Sequence, residues 1–360
     1  MNKKLFLLGV CLLSTAVFPQ TKRGGDGRSW TFAVSGDSRN CGDIVMPAIA
    51  ADLDRTGAGF YWHLGDLRAV YDFDEDIKMR PGIKPPTIYE YESFVWQDMI
   101  ESQINRFKIP FFLGIGNHET APPKTRNDFL IQFADWLTMP VLQNQRLQDD
   151  PNDHKLRAYF HWQERGVDFI YLDNSTTDQF DLSQQVWLNR VLDRDATDSS
   201  VKTIVVGMHE ALPDSLSYVH SMSDYANGVQ SGRLVYQRLL KARNVDKKQV
   251  YVLASHSHFL MDNIFASDYW KANGGVLPGW IVGTAGAYRY ALPSNAQKNS
   301  PIAKTNVYGY LLGTVDPAGA IDFQFQEVKE ANVPTDVRTK FGPELMRYCF
   351  DKNSAVTALP

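Results

Sequence analysis

Residues 110–119 read Pro-Phe-Phe-Leu-Gly-Ile-Gly-Asn-His-Glu, an apolar run that stops on glycine and opens at once onto an amide, an imidazole and a carboxylate. An uncharged run of this length, ended by a turn-forming residue, reads as a strand buried on both faces. The reading repeats along the chain. Residues 30–34 are followed by Ser35-Gly36-Asp37-Ser38-Arg39, and residues 60–64 by Gly65-Asp66-Leu67. Residues 203–206 are followed by Gly207-Met208-His209, and residues 250–254 by Ser255-His256-Ser257-His258. Residues 167–172 and 280–282 are runs of the same kind, and residues 44–53, 91–107 and 184–192 carry helical spacing between them. Wholly apolar strands alternating with helices predict an α/β fold. Residues 308–314 and 321–326 read as consecutive strands closing a second sheet, within one domain from about residue 22 to residue 360.

In open α/β sheets the ligand crevice lies outside the carboxyl ends of the strands. Five loops therefore bring Asp37, Asp66, Asn117, His118, His209, His256 and His258 to one edge. Aspartate, neutral imidazole and an amide carbonyl are ligands for Mn, Fe or Zn. A carboxylate can bridge two such ions, which clamp both oxygens of an in-line displacement at phosphorus. The glycines at 36, 65 and 116 let the backbone turn sharply where each strand ends. The remaining histidines, His63, His154, His161 and His220, show no such placement and read as ordinary polar residues.

At these residues the sequence resembles the calcineurin-like metallophosphoesterase superfamily, from Asp37 to about Gly286. The most specific pieces are Gly-Asn-His-Glu at 116–119, Gly-Asp at 65–66 and Ser-His-Ser-His at 255–258. The resemblance implies a two-sheet β-sandwich flanked by helices, with two divalent or trivalent ions at the strand ends. It implies that Asp66 bridges the ions, that Asn117, His209 and His256 complete the second, and that Asp37 and His258 belong to the first. His118 would bind the phosphate and protonate the leaving oxygen. Residues 167–174 with 184–192 resemble the family's middle strand and helix, and residues 283–286 its glycine-rich strand end.

The first motif departs from the family, whose Asp-X-His is here Asp37-Ser38-Arg39. Purple acid phosphatases also lack that His but supply a Tyr three residues after the bridging Asp, where this chain has Ala69. The first ion would then keep only Asp37, Asp66 and His258, and its site would be weak or empty. A guanidinium ~5 Å from a divalent ion is repelled by ~7 kcal/mol at an effective dielectric of about 20. Arg39 is expected either to hold a substrate phosphate through its planar fork or to stand in for the first ion. An Arg39 that simply points to solvent is the third alternative.

Composition sets the outer limits. Hydrophobic residues at 44% and charged residues at 22% exclude disordered and fibrous chains. A net charge of −4 with no basic block makes a stable nucleic acid partner unexpected. Asn2-Lys3-Lys4, the apolar stretch at 5–13 and the small residues Ser14-Thr15-Ala16 have the layout of a secretory signal peptide over residues 1–16. The stretch is far shorter than the ~20 residues a spanning helix needs. Val10 before Cys11 argues against lipidation there. Export leaves Cys41 and Cys349, an even pair expected to form a disulfide.

Three segments, residues 72–92, 141–156 and 213–233, read as loop-like insertions. The chain as a whole reads as an exported phosphoesterase, periplasmic or secreted, using a metal-bound hydroxide on a phosphorylated small-molecule or protein substrate. A nuclease or other phosphodiesterase is a second reading, disfavoured for long polyanions by the acidic residues at 72–76. A third is a metal-poor phosphate-binding or scaffold protein of the same fold.

Overall fold

The computed structural model of the chain describes residues 27–82, 84–176, 179–217 and 220–353; the export signal and Cys11 read from the sequence lie outside them. Eleven strands are present among the described residues. They are β1 (Trp30–Ser35), β2 (Tyr61–His63), β3 (Phe111–Leu113), β4 (Phe160–Glu164), β5 (Val167–Leu172), β6 (Thr203–Met208), β7 (Gln249–Ala254), β8 (Leu260–Asp262), β9 (Gly279–Val282), β10 (Tyr308–Val315) and β11 (Ile321–Val328). They form a five-stranded sheet in the order β11-β10-β1-β2-β3 and a six-stranded sheet in the order β4-β5-β6-β7-β9-β8. Helices flank both, so the fold is the two-sheet α/β sandwich the sequence implied.

Parallel pairing aligns the strand ends that matter. Ser35, His63 and Leu113, the last residues of β1, β2 and β3, lie in register. Leu172 of β5 likewise faces Met208 of β6, and β7 and β9 continue the parallel run. Each parallel strand therefore releases its loop at the same edge.

The strands are apolar because both faces of the six-stranded sheet are covered. Along β6, Val205 belongs to the core between the sheets, while Ile204 and Val206 belong to the core under the helices Leu182–Thr197 and Ala226–Asn244. Between the sheets the aromatic rings interlock: Phe112 stacks on Trp162 at 3.9 Å, and Phe60 meets Phe169 edge-on at 5.1 Å. Each such buried side chain contributes ~1.5–3 kcal/mol, which holds the two sheets, and so the two halves of the loop edge, in fixed relation.

Several expectations need correction. The β10–β11 hairpin does not close a second sheet; β10 pairs antiparallel with β1 and widens the sheet β1 already belongs to. Residues 141–156 are not a turn-rich loop, because Pro140–Asp149 is a helix with proline in its first turn, where a missing N–H costs nothing. The stretch 213–233 runs into the helix Ala226–Asn244. Its helical character was masked by Gly228 and Gly232, poor helix formers. Gly232 is required by packing: a Cβ there would come within 2.4 Å of Cδ of Pro213. Within 72–92 the chain forms the short helix Glu75–Lys78 and begins the helix Ile88–Ser102.

Cys41 and Cys349 are bonded, with Cα atoms 5.9 Å apart across a sequence separation of 308. The bridge ties the turn that carries Arg39 to the C-terminal end of the described chain.

Candidate metal centre

The loops at the strand ends are held in unusual backbone conformations. Asp37, Asp66 and His256 have φ of 62°, 56° and 62°, a region uncommon for residues other than glycine. Hydrogen bonds between loops hold them there. The N–H of Asp37 donates to the carbonyl of Gly65 at 3.0 Å, and that of Ser38 to the carbonyl of Asp66 at 3.0 Å. The N–H of His256 donates to Oδ2 of Asp37 at 2.8 Å, and that of His118 to Oδ1 of Asp66 at 3.0 Å. The loops after β2 and β3 meet so closely that a Cβ on Gly116 would lie 2.3 Å from Oδ1 of Asp66. Glu119 locks them together: its buried carboxylate accepts from the N–H groups of Asp66, Leu67 and Gly116 at 2.9, 2.9 and 2.8 Å.

Two donor clusters result, and Asp66 belongs to both. In one, Asp66, His209 and His256 place ligand atoms within 4.8 Å of one another. Nδ1 of His209 lies 3.1 Å from the carbonyl oxygen of Leu64. A carbonyl can only accept, so Nδ1 carries the proton and Nε2 presents a lone pair. That lone pair faces Oδ1 of Asp66 at 3.2 Å, Oδ1 of Asn117 at 3.0 Å and Nδ1 of His256 at 3.0 Å. Converging acceptors of this kind suit a cation. Burial opposes a charge on His209, yet Asp66, Asp37 and Glu119 raise its pKa to about 9, so these acceptors draw a proton onto Nε2 where no metal competes for its lone pair. His256 is pushed well below its ordinary value, by burial and then by His209.

In the other cluster Asp37, Asp66 and His258 also place ligand atoms within 4.8 Å. Oδ1 of Asp37 is 3.4 Å from Nε2 of His258, and this oxygen is buried without a hydrogen-bond partner. An unsatisfied buried carboxylate oxygen is costly, and an ion shared with His258 and Asp66 would satisfy it. Both donor sets therefore fit divalent metal.

His118 and Arg39 lie beside the shared aspartate. Nδ1 of His118 donates to the carbonyl of Ala69 at 2.7 Å, and the Tyr71 hydroxyl lies 3.1 Å from Nε2 with the two rings stacked at 4.6 Å. Burial, reinforced by Arg39 and opposed by Asp66, pushes His118 down to about 4. Arg39 is 8% exposed, which removes the solvent-pointing alternative. Its Nη1 is 3.0 Å from Nδ1 of His118 and its Nε 4.0 Å from Oδ2 of Asp66.

A buried ionic hub fixes the segment that carries these contacts. Arg68 is wholly buried and donates to Asp76 at 2.9 Å and to Asp98 at 2.8 Å, with Asp43 also in its reach. Asp74 beside it accepts from the N–H of Asn40 at 2.6 Å and of Ala69 at 3.2 Å. One carboxylate thus positions both the residue after Arg39 and the residue whose carbonyl orients His118.

All of Asp37, Arg39, Asp66, Asn117, His118, His209, His256 and His258 meet at this edge. Tyr71, Tyr290 and His220 join them without any signal in the local sequence pattern. Tyr290 stacks on His258 at 4.0 Å and on His220 at 4.9 Å, and the His220 ring lies 5.3 Å from that of His256. Glu119 stood inside a recognised motif, but its part in bracing the loops depends on backbone contacts that no spacing reveals. His63 is buried behind the centre, where its Nδ1 accepts the N–H of Gly65 at 3.2 Å; His161 is buried elsewhere against Asp168, and His154 is exposed.

No protein-family model and no curated protein matches the chain in sequence. In structure it is similar to a purple acid phosphatase from seeds of yellow lupin (Lupinus luteus), with 13% identity and a TM-score of 0.56 over 86% of this chain. It is also similar to PhoD, with 15% identity and a TM-score of 0.56 over 85% of this chain. The matches span 53% of the lupin protein and 70% of PhoD. The likeness shows that the chain shares its fold with these two proteins.

Proposed function

We propose that the chain is a metal-dependent phosphoester hydrolase acting on a phosphorylated small molecule or protein. The observation that carries this reading is the sharing of Asp66 between two donor clusters, with Arg39 and His118 alongside. Asp37, Asp66 and His258 would hold one ion, and Asp66, Asn117, His209 and His256 the other. Such ions, when bound, neutralise charge on a phosphoryl group and activate water at neutral pH. The protein's own groups have separate tasks. Nδ1–H of His209, fixed on Leu64, keeps Nε2 free as a donor atom, and Glu119 keeps Asp66 in its left-handed turn. Arg39 offers a fork of N–H groups to phosphoryl oxygens. His118, oriented through Ala69, binds the phosphate; its Nε2, bare in the free protein, takes up a proton beside the negative charge of the bound phosphate and passes it to the leaving oxygen, with the Tyr71 hydroxyl as its neighbour in that transfer.

The reading also places the protein outside the cytoplasm, on the signal-like residues 1–16 and the disulfide. Secreted material should begin near Val17; an intact Met1 would refute export. The enzymatic reading is tested by a matrix of Mn, Fe and Zn against 4-nitrophenyl phosphate and bis(4-nitrophenyl) phosphate. Hydrolysis should vanish on chelation and return with metal. Undiminished turnover in chelator-stripped protein would sink it.

A further inference from the structure

The two oxygens of Asp66 are differently engaged. Oδ1 faces His209 at 3.2 Å and accepts the N–H of His118 at 3.0 Å. Oδ2 faces Nε of Arg39 at 4.0 Å and Nε2 of His118 at 3.8 Å. A guanidinium therefore stands beside the shared carboxylate, next to the cluster that Asp37 and His258 complete. Arg39 is 8% exposed, and the backbone that follows it is anchored. Asn40 is fixed to Asp74, and the N–H of Cys41 donates to the carbonyl of Gly286 at 3.1 Å. Cys41 is itself bonded to Cys349. Nε of Arg39 is nonetheless buried without a hydrogen-bond acceptor.

These facts set a charge problem and its solution. Asp37 and Asp66 carry two negative charges against the one of Arg39. A single divalent ion at Asp66, His209 and His256 brings the set to one net positive charge. A second divalent ion would raise it to three, close to a buried guanidinium. A phosphate dianion between the guanidinium and the ions returns the total to one and gives Nε the acceptor it lacks.

We infer that the Asp37–Asp66–His258 position and the phosphate fill together, coupled through Arg39, while the Asp66–Asn117–His209–His256 position fills alone. The inference rests on the functional reading above and adds an order of assembly to it. Coupling between binding sites is reciprocal, so the factor by which phosphate tightens the ion is the factor by which the ion tightens phosphate.

The test is calorimetric titration of the metal-free protein with manganese(II), with and without inorganic phosphate. One tight equivalent is expected without phosphate, and a second equivalent tightened about tenfold or more with it, within the usual range of such couplings. In Arg39→Met, shown folded by circular dichroism, both equivalents should bind without phosphate, and phosphate should tighten the second several-fold less than in the native protein. Two equal equivalents in the unliganded native protein would overturn the inference, as would indifference to phosphate or coupling of undiminished size in folded Arg39→Met. If that variant does not fold, the native titration decides alone. Failure of the coupling with metal still bound leaves the hydrolase reading standing. A folded protein that takes no manganese under either condition would overturn both.

Discussion

Nδ1 of His118 lies 2.7 Å from the carbonyl oxygen of Ala69, and this contact fixes which end of the imidazole is left for chemistry. With its proton committed to the carbonyl, Nδ1 cannot accept from Arg39, whose Nη1 at 3.0 Å is a crowding cation and not a donor to it. Nε2 remains as the working end. The carbonyl is aimed by a tight turn in which the N–H of Tyr71 donates back to Ala69 at 2.8 Å and Val70 adopts φ of 64°. A β-branched residue in that region is strained, and strain of this kind gathers at functional sites.

His118→Asn should leave metal content unchanged and slow hydrolysis of an alkyl phosphate by about 10²–10⁴-fold, the usual worth of general acid catalysis. Loss on 4-nitrophenyl phosphate should be mild, because nitrophenolate departs without a proton. Steady-state rates on the two substrates check this; equal losses would leave His118 as a phosphate-binding residue only.

Asp66→Asn should abolish turnover and metal binding together. The substitution removes the one negative charge common to both clusters and places an amide against Nε2 of His209. Metal analysis beside activity is the measurement, and an inactive variant with full metal content would contradict the bridging role.

Stability should fall as pH rises from about 6.5 to 10, and part of the cause lies away from the candidate centre. His161 is buried with Nδ1 2.9 Å from Asp168 and Nε2 2.5 Å from Asp149; burial opposes its charge, yet these carboxylates raise it to about 10. Asp195 is raised to about 9 by burial and by Asp168. Both groups hold protons in the folded state that the unfolded chain releases earlier. The contribution of His161 is thus full below its unfolded pKa near 6.5 and lost through its folded one, by at most about 1.4 kcal/mol per pH unit. Urea unfolding between pH 6 and 10 should show the decline, and His161→Gln should flatten it.

Cys349→Ser should cost about 2–4 kcal/mol of stability, as typical disulfides do. Alkylation of the unfolded, unreduced protein should find neither Cys41 nor Cys349 free. A free thiol at both positions would refute the pairing.

The parts of the fold legible in the sequence were those set by local pattern. Strands with both faces buried, such as β5 and β6, are written as unbroken apolar runs, and the loops after them carry their chemistry in sequence order. What stayed hidden depends on contacts between distant segments. The helix Ala226–Asn244 was obscured by a glycine that only the neighbouring Pro213 explains. Tyr290 and His220 come to the centre by stacking across the sheet edge, which no spacing encodes. Arg39 was visible as a departure, but that its guanidinium is buried against Asp66 could be learned only from the folded chain.

The pairing of β1 with β10, together with the Cys41–Cys349 bridge, has a bearing on biosynthesis. Chains are made from the N-terminus, and early parts fold first where they can. Here β1 is the first of the described strands to leave the ribosome, yet one of its neighbours is the next to last of them. The loop with Asp37 and Arg39 can be fastened only after residue 349 has been synthesised. A nascent chain therefore carries all of the candidate metal-holding side chains before it can arrange them, and a product truncated ahead of the last strands would have the motifs without the centre.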